Sequence, residues 1–233
     1  MSAADEYSLD LGGEYSRPCG SPAPAAQRWF DRGMLWIHGF NHAEAGYCFG
    51  RSFAADGSCA LARWGEALAL GPNYNDPILD DDRAAAALTL AQEAVGLLDA
   101  SEEGLGAASV AAARALPSRL GPAGSSREDQ DKAYAEAMEP VYSAFGAEDA
   151  DIAFLFADAL MQLNPWRLWT GAEAAIRSGD FETQTPTDAT TPRIIEVLEK
   201  GLALAPRHGG LCHLYIHALE MGPRSLLRGS VLS

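Results

Sequence analysis

Apolar residues recur at helical spacing along most of the chain, and short breaks rich in glycine, proline, asparagine or aspartate separate these runs. The second run has clear signals at both ends. Asn41 is a good N-cap, Glu44 stands three residues later as in a capping box, and Asp56-Gly57 ends the run. No segment has the alternation of a strand. The predicted helices cover residues 25–38, 42–55, 58–70, 82–98, 102–115, 128–146, 149–163, 166–177, 192–204 and 208–220.

Two longer breaks interrupt the helical pattern. Residues 117–127 combine proline, glycine and serine and are predicted to be a linker. Residues 178–191 are predicted to be a polar loop that ends in Thr191, the expected N-cap of a helix with Pro192 in its first turn. The predicted organisation is a disordered tail at 1–24, one helical-repeat domain at 25–221 and an irregular tail at 222–233.

The composition supports an all-α fold, because the chain has 43 alanines but only 7 isoleucines and 5 valines. The net charge of −15 argues against a nucleic-acid groove and against binding to an anionic membrane. No apolar run is long enough to span a membrane. Without a secretory signal at the N-terminus, we expect the cytoplasm as the location.

The first predicted helix pair has small and large residues at fixed offsets. Seven positions follow one another at intervals of 4, 3, 9, 4, 3 and 5 residues: Trp29, Gly33, Trp36, Ala45, Phe49, Ser52 and Gly57. These intervals resemble the tetratricopeptide repeat. The small residues allow two antiparallel helices to approach, and the large residues fill the space around them.

Four further segments extend this resemblance along the chain: FNHAEA at 40–45, ALGPNYN at 69–75, NPWRLWTG at 164–171 and LCHLYIHALEM at 211–221. They are similar to a group of divergent tetratricopeptide-repeat proteins of bacteria and fungi. The resemblance implies a right-handed solenoid of antiparallel helix pairs whose concave groove binds a peptide or protein partner. The last twelve residues depart from the group, so we expect a shortened chain with an uncapped end that favours self-association.

Aromatic and polar residues suggest where a partner binds. Asn73, Tyr74 and Asn75 form a polar-aromatic loop, and Trp166, Arg167 and Trp169 follow a helix end. We predict that these six residues line the binding groove, because tryptophan and arginine are frequent in binding hot spots. The alternative is structural: the asparagines form a turn and the tryptophans fill the core.

A second function rests on the histidines. His213 and His217 are one helical turn apart, and Glu220 follows within reach of the same face. With His208 as a further ligand, these side chains suit zinc, iron or manganese. The scaffold function, by contrast, requires no cofactor. The two hypotheses are therefore an interaction scaffold and, as the alternative, a metal-dependent enzyme or metal-binding protein. The sequence does not identify catalytic residues.

Overall fold

The structure, a computed structural model, describes residues 15–121, 124–223 and 225. It is predominantly helical, so the prediction of an all-α protein is confirmed. None of the described helices is both long and apolar enough to cross a membrane. The chain divides into two compact units, where the sequence predicted one domain. Unit 1 contains the residues up to Gly71 together with Asp80–Leu120, and unit 2 contains Pro72–Leu79 and the residues from Gly121 onward.

Unit 1 is a succession of helices in which the first packs on the second, the second on the third and the third on the fourth. Side-chain caps fix two of the starts, since Asn41 accepts a hydrogen bond from the backbone N–H of Glu44 and Asp80 accepts one from that of Arg83. The helices are α1 (Pro24–His38), α2 (His42–Ala55), α3 (Ala60–Leu70), α4 (Asp81–Ala100), α5 (Ala107–Ala115) and α6 (Pro117–Leu120).

Phe49 is the centre of the helix packing in unit 1. Its fully buried ring lies against Gly33 of α1 and Gly65 of α3. A Cβ atom at either glycine would stand 2.5 Å from a carbon of this ring. The small residues therefore provide the space that the large ring occupies, as the sequence predicted for Gly33. Trp29 and Ser52 are also buried, and the Ser52 hydroxyl donates to the Ala26 carbonyl of α1 at 2.8 Å.

Part of the predicted N-terminal tail packs against α1. Cys19 is 1% exposed, and its backbone N–H donates to the Gln27 side chain. The backbone N–H of Arg17 donates to the Asp31 carboxylate at 3.0 Å. Residues 1–14 of the predicted tail lie outside the described residues, as do residue 224 and residues 226–233 of the predicted C-terminal tail.

Unit 2 is built around α8 (Ala150–Met161), which contacts three other helices of this unit and is buried along nearly its whole length. Most of its residues are apolar, and its two aspartates, Asp151 and Asp158, are buried as well. The other elements are α7 (Arg127–Phe145), β1 (Trp169–Thr170), α9 (Ala172–Ser178), β2 (Thr185–Pro186), α10 (Thr190–Leu204) and α11 (Gly209–Glu220). The strands β1 and β2 form a two-residue antiparallel pair.

The predicted helix at 166–177 is wrong in its first half, and the prediction of no strand is wrong at the same place. Pro165 does not begin a helix, because Trp166 takes a left-handed backbone conformation with φ of 59°. The next residues form β1, where Thr170 is paired with Thr185, and α9 starts only at Ala172. Tertiary pairing therefore overrides the local helical pattern.

Three other boundaries differ from the prediction. The helix predicted to begin at residue 102 begins at Ala107, because Ser101 ends α4 and Gly104, with φ of 75°, keeps the segment before Gly106 non-helical. The predicted linker at 117–127 contains α6, whose Leu120 is buried. Thr191 lies inside α10, and its hydroxyl donates to the Leu168 carbonyl at 2.6 Å instead of capping the helix.

Candidate binding site

The loop at 72–79 presents Tyr74 from a tight turn. The side-chain oxygen of Asn73 accepts hydrogen bonds from the backbone N–H groups of Asn75 and Asp76, both at 3.0 Å. Asn73 is buried, so it holds the turn, whereas Asn75 is exposed. Tyr74 is 2% exposed, and burial raises the pKa of its phenol to about 12, with a smaller contribution from the Glu220 carboxylate. The phenol is therefore neutral at physiological pH.

Trp166 covers Tyr74 and remains accessible. The two rings stack with their centroids 5.1 Å apart, and 47% of the Trp166 surface is exposed. A non-glycine residue at positive φ stores backbone strain, which is common at binding sites. The turn is closed by a hydrogen bond from the backbone N–H of Arg167 to the Asn164 carbonyl at 3.0 Å.

Trp169 has a structural position, which agrees with the alternative that it fills the core. It is 6% exposed, and its indole N–H donates to the Ala218 carbonyl of α11 at 2.7 Å. Gly222 allows this approach, since a Cβ there would lie 2.5 Å from the indole ring. Trp169 therefore anchors the segment that carries Trp166 to the end of α11.

The histidines of α11 meet this aromatic pair. The His217 ring lies edge-on to Trp166 at 5.5 Å and beside Tyr74 at 5.4 Å. Its Nδ1 is 2.7 Å from the Glu220 carboxylate, and its Nε2 is 3.1 Å from Nε2 of His213. A carboxylate only accepts, so Nδ1 of His217 donates to Glu220; in the neutral imidazole its Nε2 then carries a lone pair that accepts from His213.

His208 lies at the N-terminus of α11 and is not part of this group of rings. Its Nδ1 accepts a hydrogen bond from the backbone N–H of Leu211, and its Nε2 lies 3.0 Å from the Asp151 carboxylate. Because Nδ1 accepts, Nε2 carries the proton and donates to Asp151. His208 therefore caps the helix and links it to α8.

A cleft of about 610 Å³ lies in unit 2 beside the Trp166 turn. It is larger than a cleft of about 510 Å³ in unit 1. Arg167 lines the unit 2 cleft with charged residues of α7, including Arg127 and Asp131. Gln162 also lines it, is 2% exposed, and has no hydrogen-bond partner within the described part of the chain for either amide atom. A buried amide without hydrogen bonds destabilises the folded state by about 1–3 kcal/mol.

The sequence therefore pointed to several residues that the fold brings together: Tyr74, Trp166, His213, His217 and Glu220. Gln162 was missed, although its amide follows the apolar run of α8 and could have drawn attention there. Ile78, 78% exposed at the edge of the cleft, was also missed. No known protein family matches the sequence, and no curated protein is significantly similar to it.

Proposed function

We propose that this protein is a tetratricopeptide-type helical scaffold, a right-handed solenoid of helix pairs, that binds an extended segment of a protein partner in the unit 2 cleft. The helix-to-helix succession and the Gly33–Phe49 packing in unit 1 support the repeat architecture. The cleft, rather than a groove defined by the six residues of the sequence prediction, is the binding surface that the geometry favours.

The observation that carries the proposal is the buried amide of Gln162. A glutamine side chain offers a carbonyl acceptor and an N–H donor side by side, and a backbone peptide group offers the complementary pair. Within the described residues this amide has neither partner. Both amide atoms are closed to solvent in this structure, so the Gln162 side chain would turn toward a peptide lying in the cleft. The peptide would then supply both partners and offset the cost of the buried amide.

The surroundings of Gln162 match a peptide better than a small apolar ligand. Trp166 and Ile78 are exposed apolar side chains beside the cleft and can hold hydrophobic side chains of the partner. Both signs of charge line the cleft, including the exposed side chains of Arg167 and Asp188. Charge complementarity fixes the register of a bound chain more than it raises its affinity.

The proposal can be tested by selecting random peptides displayed on phage against the immobilised full chain. The affinity of the enriched synthetic peptides is then measured by fluorescence anisotropy. Gln162→Leu and Trp166→Ala are each expected to weaken binding about tenfold or more. Gln92→Leu changes an exposed glutamine of α4 and is the matched control, with no expected effect. Enrichment of no peptides, or equal affinity for all four proteins, would refute the proposal.

A further inference from the structure

We infer that His213 and His217 bind one divalent transition-metal ion that prefers imidazole ligands, such as Zn²⁺ or Cu²⁺, and that Glu220 orients the His217 ring from its other side. This site adjoins the peptide cleft, because Trp166 contacts the His217 ring, but it does not depend on the proposed peptide binding. It also changes the role predicted for Glu220, from a third ligand to a positioning residue.

The two ring nitrogens already have the separation that a shared ion requires. His213 and His217 lie one turn apart on α11, and their Nε2 atoms are 3.1 Å apart. Two nitrogens bound at about 2.0–2.1 Å in a tetrahedral site are separated by roughly 3.3 Å. A small rotation of the His213 ring is therefore enough to admit an ion between them.

Glu220 prepares one of the two ligands. Its carboxylate accepts the Nδ1–H of His217 at 2.7 Å, so the lone pair of His217 is held on Nε2, which faces His213. A carboxylate bound to the second nitrogen of a metal-ligating histidine fixes its tautomer and raises its basicity. On metal binding only His213 changes tautomer: its proton leaves Nε2, Nδ1 takes up a proton from water, and the net protonation is unchanged.

Three features of the surroundings favour a cation here. The rings of Tyr74 and Trp166 pack against His217 and limit its rotation. The site lies in the last turns of α11, where the helix dipole is negative. The side chain of His217 is 13% exposed and that of Glu220 is 37% exposed, so an ion can enter from solvent. With two protein ligands, the remaining positions are filled by water, which suits exchangeable binding.

The test is a calorimetric titration of the chelator-treated full chain with Zn²⁺ and, separately, with Cu²⁺. One saturable equivalent is expected, and it should be lost in His213→Ala and in His217→Gln. Glu220→Gln should weaken binding about tenfold, at the lower end of the range for outer partners of metal-bound histidines, because glutamine still accepts from Nδ1. His42→Ala, a histidine of α2 whose Nδ1 contacts the Phe40 carbonyl, is the control with unchanged binding. Circular dichroism checks that each variant is folded.

A second readout uses the unaltered protein and therefore does not depend on the stability of any variant. The ¹⁵N shifts of the histidine rings should show His217 with its proton on Nδ1 before metal is added, and His213 changing from Nε2–H to Nδ1–H upon addition. In Glu220→Gln the preference of His217 for the tautomer with its proton on Nδ1 should weaken. Absence of a saturable equivalent, ring shifts that do not respond, or full binding by the double variant His213→Ala/His217→Gln would overturn the inference.

Discussion

Replacing Gly33 by alanine should destabilise the protein, although the same change elsewhere in a helix stabilises it. In an exposed helix interior, alanine is better than glycine by about 1 kcal/mol. At Gly33 the new Cβ would lie 2.5 Å from a ring carbon of Phe49, which is fully buried. The ring also packs on Gly65 and lies 5.5 Å from the Phe30 ring, so it has few directions in which to move.

The expected magnitude follows from these two opposing effects. Overpacking a core costs about 1–3 kcal/mol, and a clash with a buried ring belongs in the upper half of that range. Subtracting the helical gain leaves a net loss of about 1–2 kcal/mol. For a urea m-value of about 2 kcal/mol/M, the midpoint should fall by roughly 0.5–1 M. The assay is urea denaturation followed by circular dichroism, with a check that the m-value is unchanged.

Gly96→Ala is the matched control. Gly96 lies inside α4 and is exposed, and a Cβ added there would have nothing within 4 Å, so this change should raise the midpoint. The double variant Gly33→Ala/Phe49→Leu should lose less stability than the sum of its single variants, because the smaller side chain relieves the clash. If Gly33→Ala raised the midpoint as Gly96→Ala does, the proposed role of the two glycines in holding Phe49 would be wrong.

Three further predictions concern single residues. Gln162→Leu should raise the free energy of unfolding by about 1 kcal/mol, because it removes a buried amide without partners, and a lower urea midpoint would contradict this. Trp169→Ala should cost about 3–5 kcal/mol by thermal denaturation, since the buried indole and its bond to Ala218 are both lost, and an unchanged melting temperature would show that the ring is not packed there. The Ser21 hydroxyl donates a hydrogen bond to the Asp56 carboxylate and so lowers the pKa of this carboxyl. The ionised carboxylate therefore stabilises the fold at pH values above its ordinary pKa. This stabilisation is lost as the pH falls through the lowered pKa. Ser21→Ala should raise the pKa of Asp56 in a carboxyl NMR titration, and an unaltered titration curve would exclude this bond as the cause.

Much of the helical structure follows from short stretches of sequence. Asn41, Asp80, Ser126 and Asp149 each cap the helix that follows them, because a short polar side chain satisfies an N–H group that has no partner in the first turn. The His213–His217 pair was predicted in the same way, since the helical repeat places residues four apart on one face. Such features depend on contacts within a few residues, which is why pattern and propensity predict them.

Long-range packing set the features that local patterns miss. Trp166 adopts a left-handed conformation where periodicity predicts a helix, because Trp169 is anchored to Ala218 and Thr170 pairs with Thr185. The contact of Tyr74 with Trp166 and His217 joins three segments far apart in the chain, so no spacing rule reveals it. Whether the amide of Gln162 finds a partner depends likewise on every element around it. Residue order thus predicts most helices and the types of residue available for binding. It does not predict which of these residues come into contact, because burial and pairing depend on distant segments.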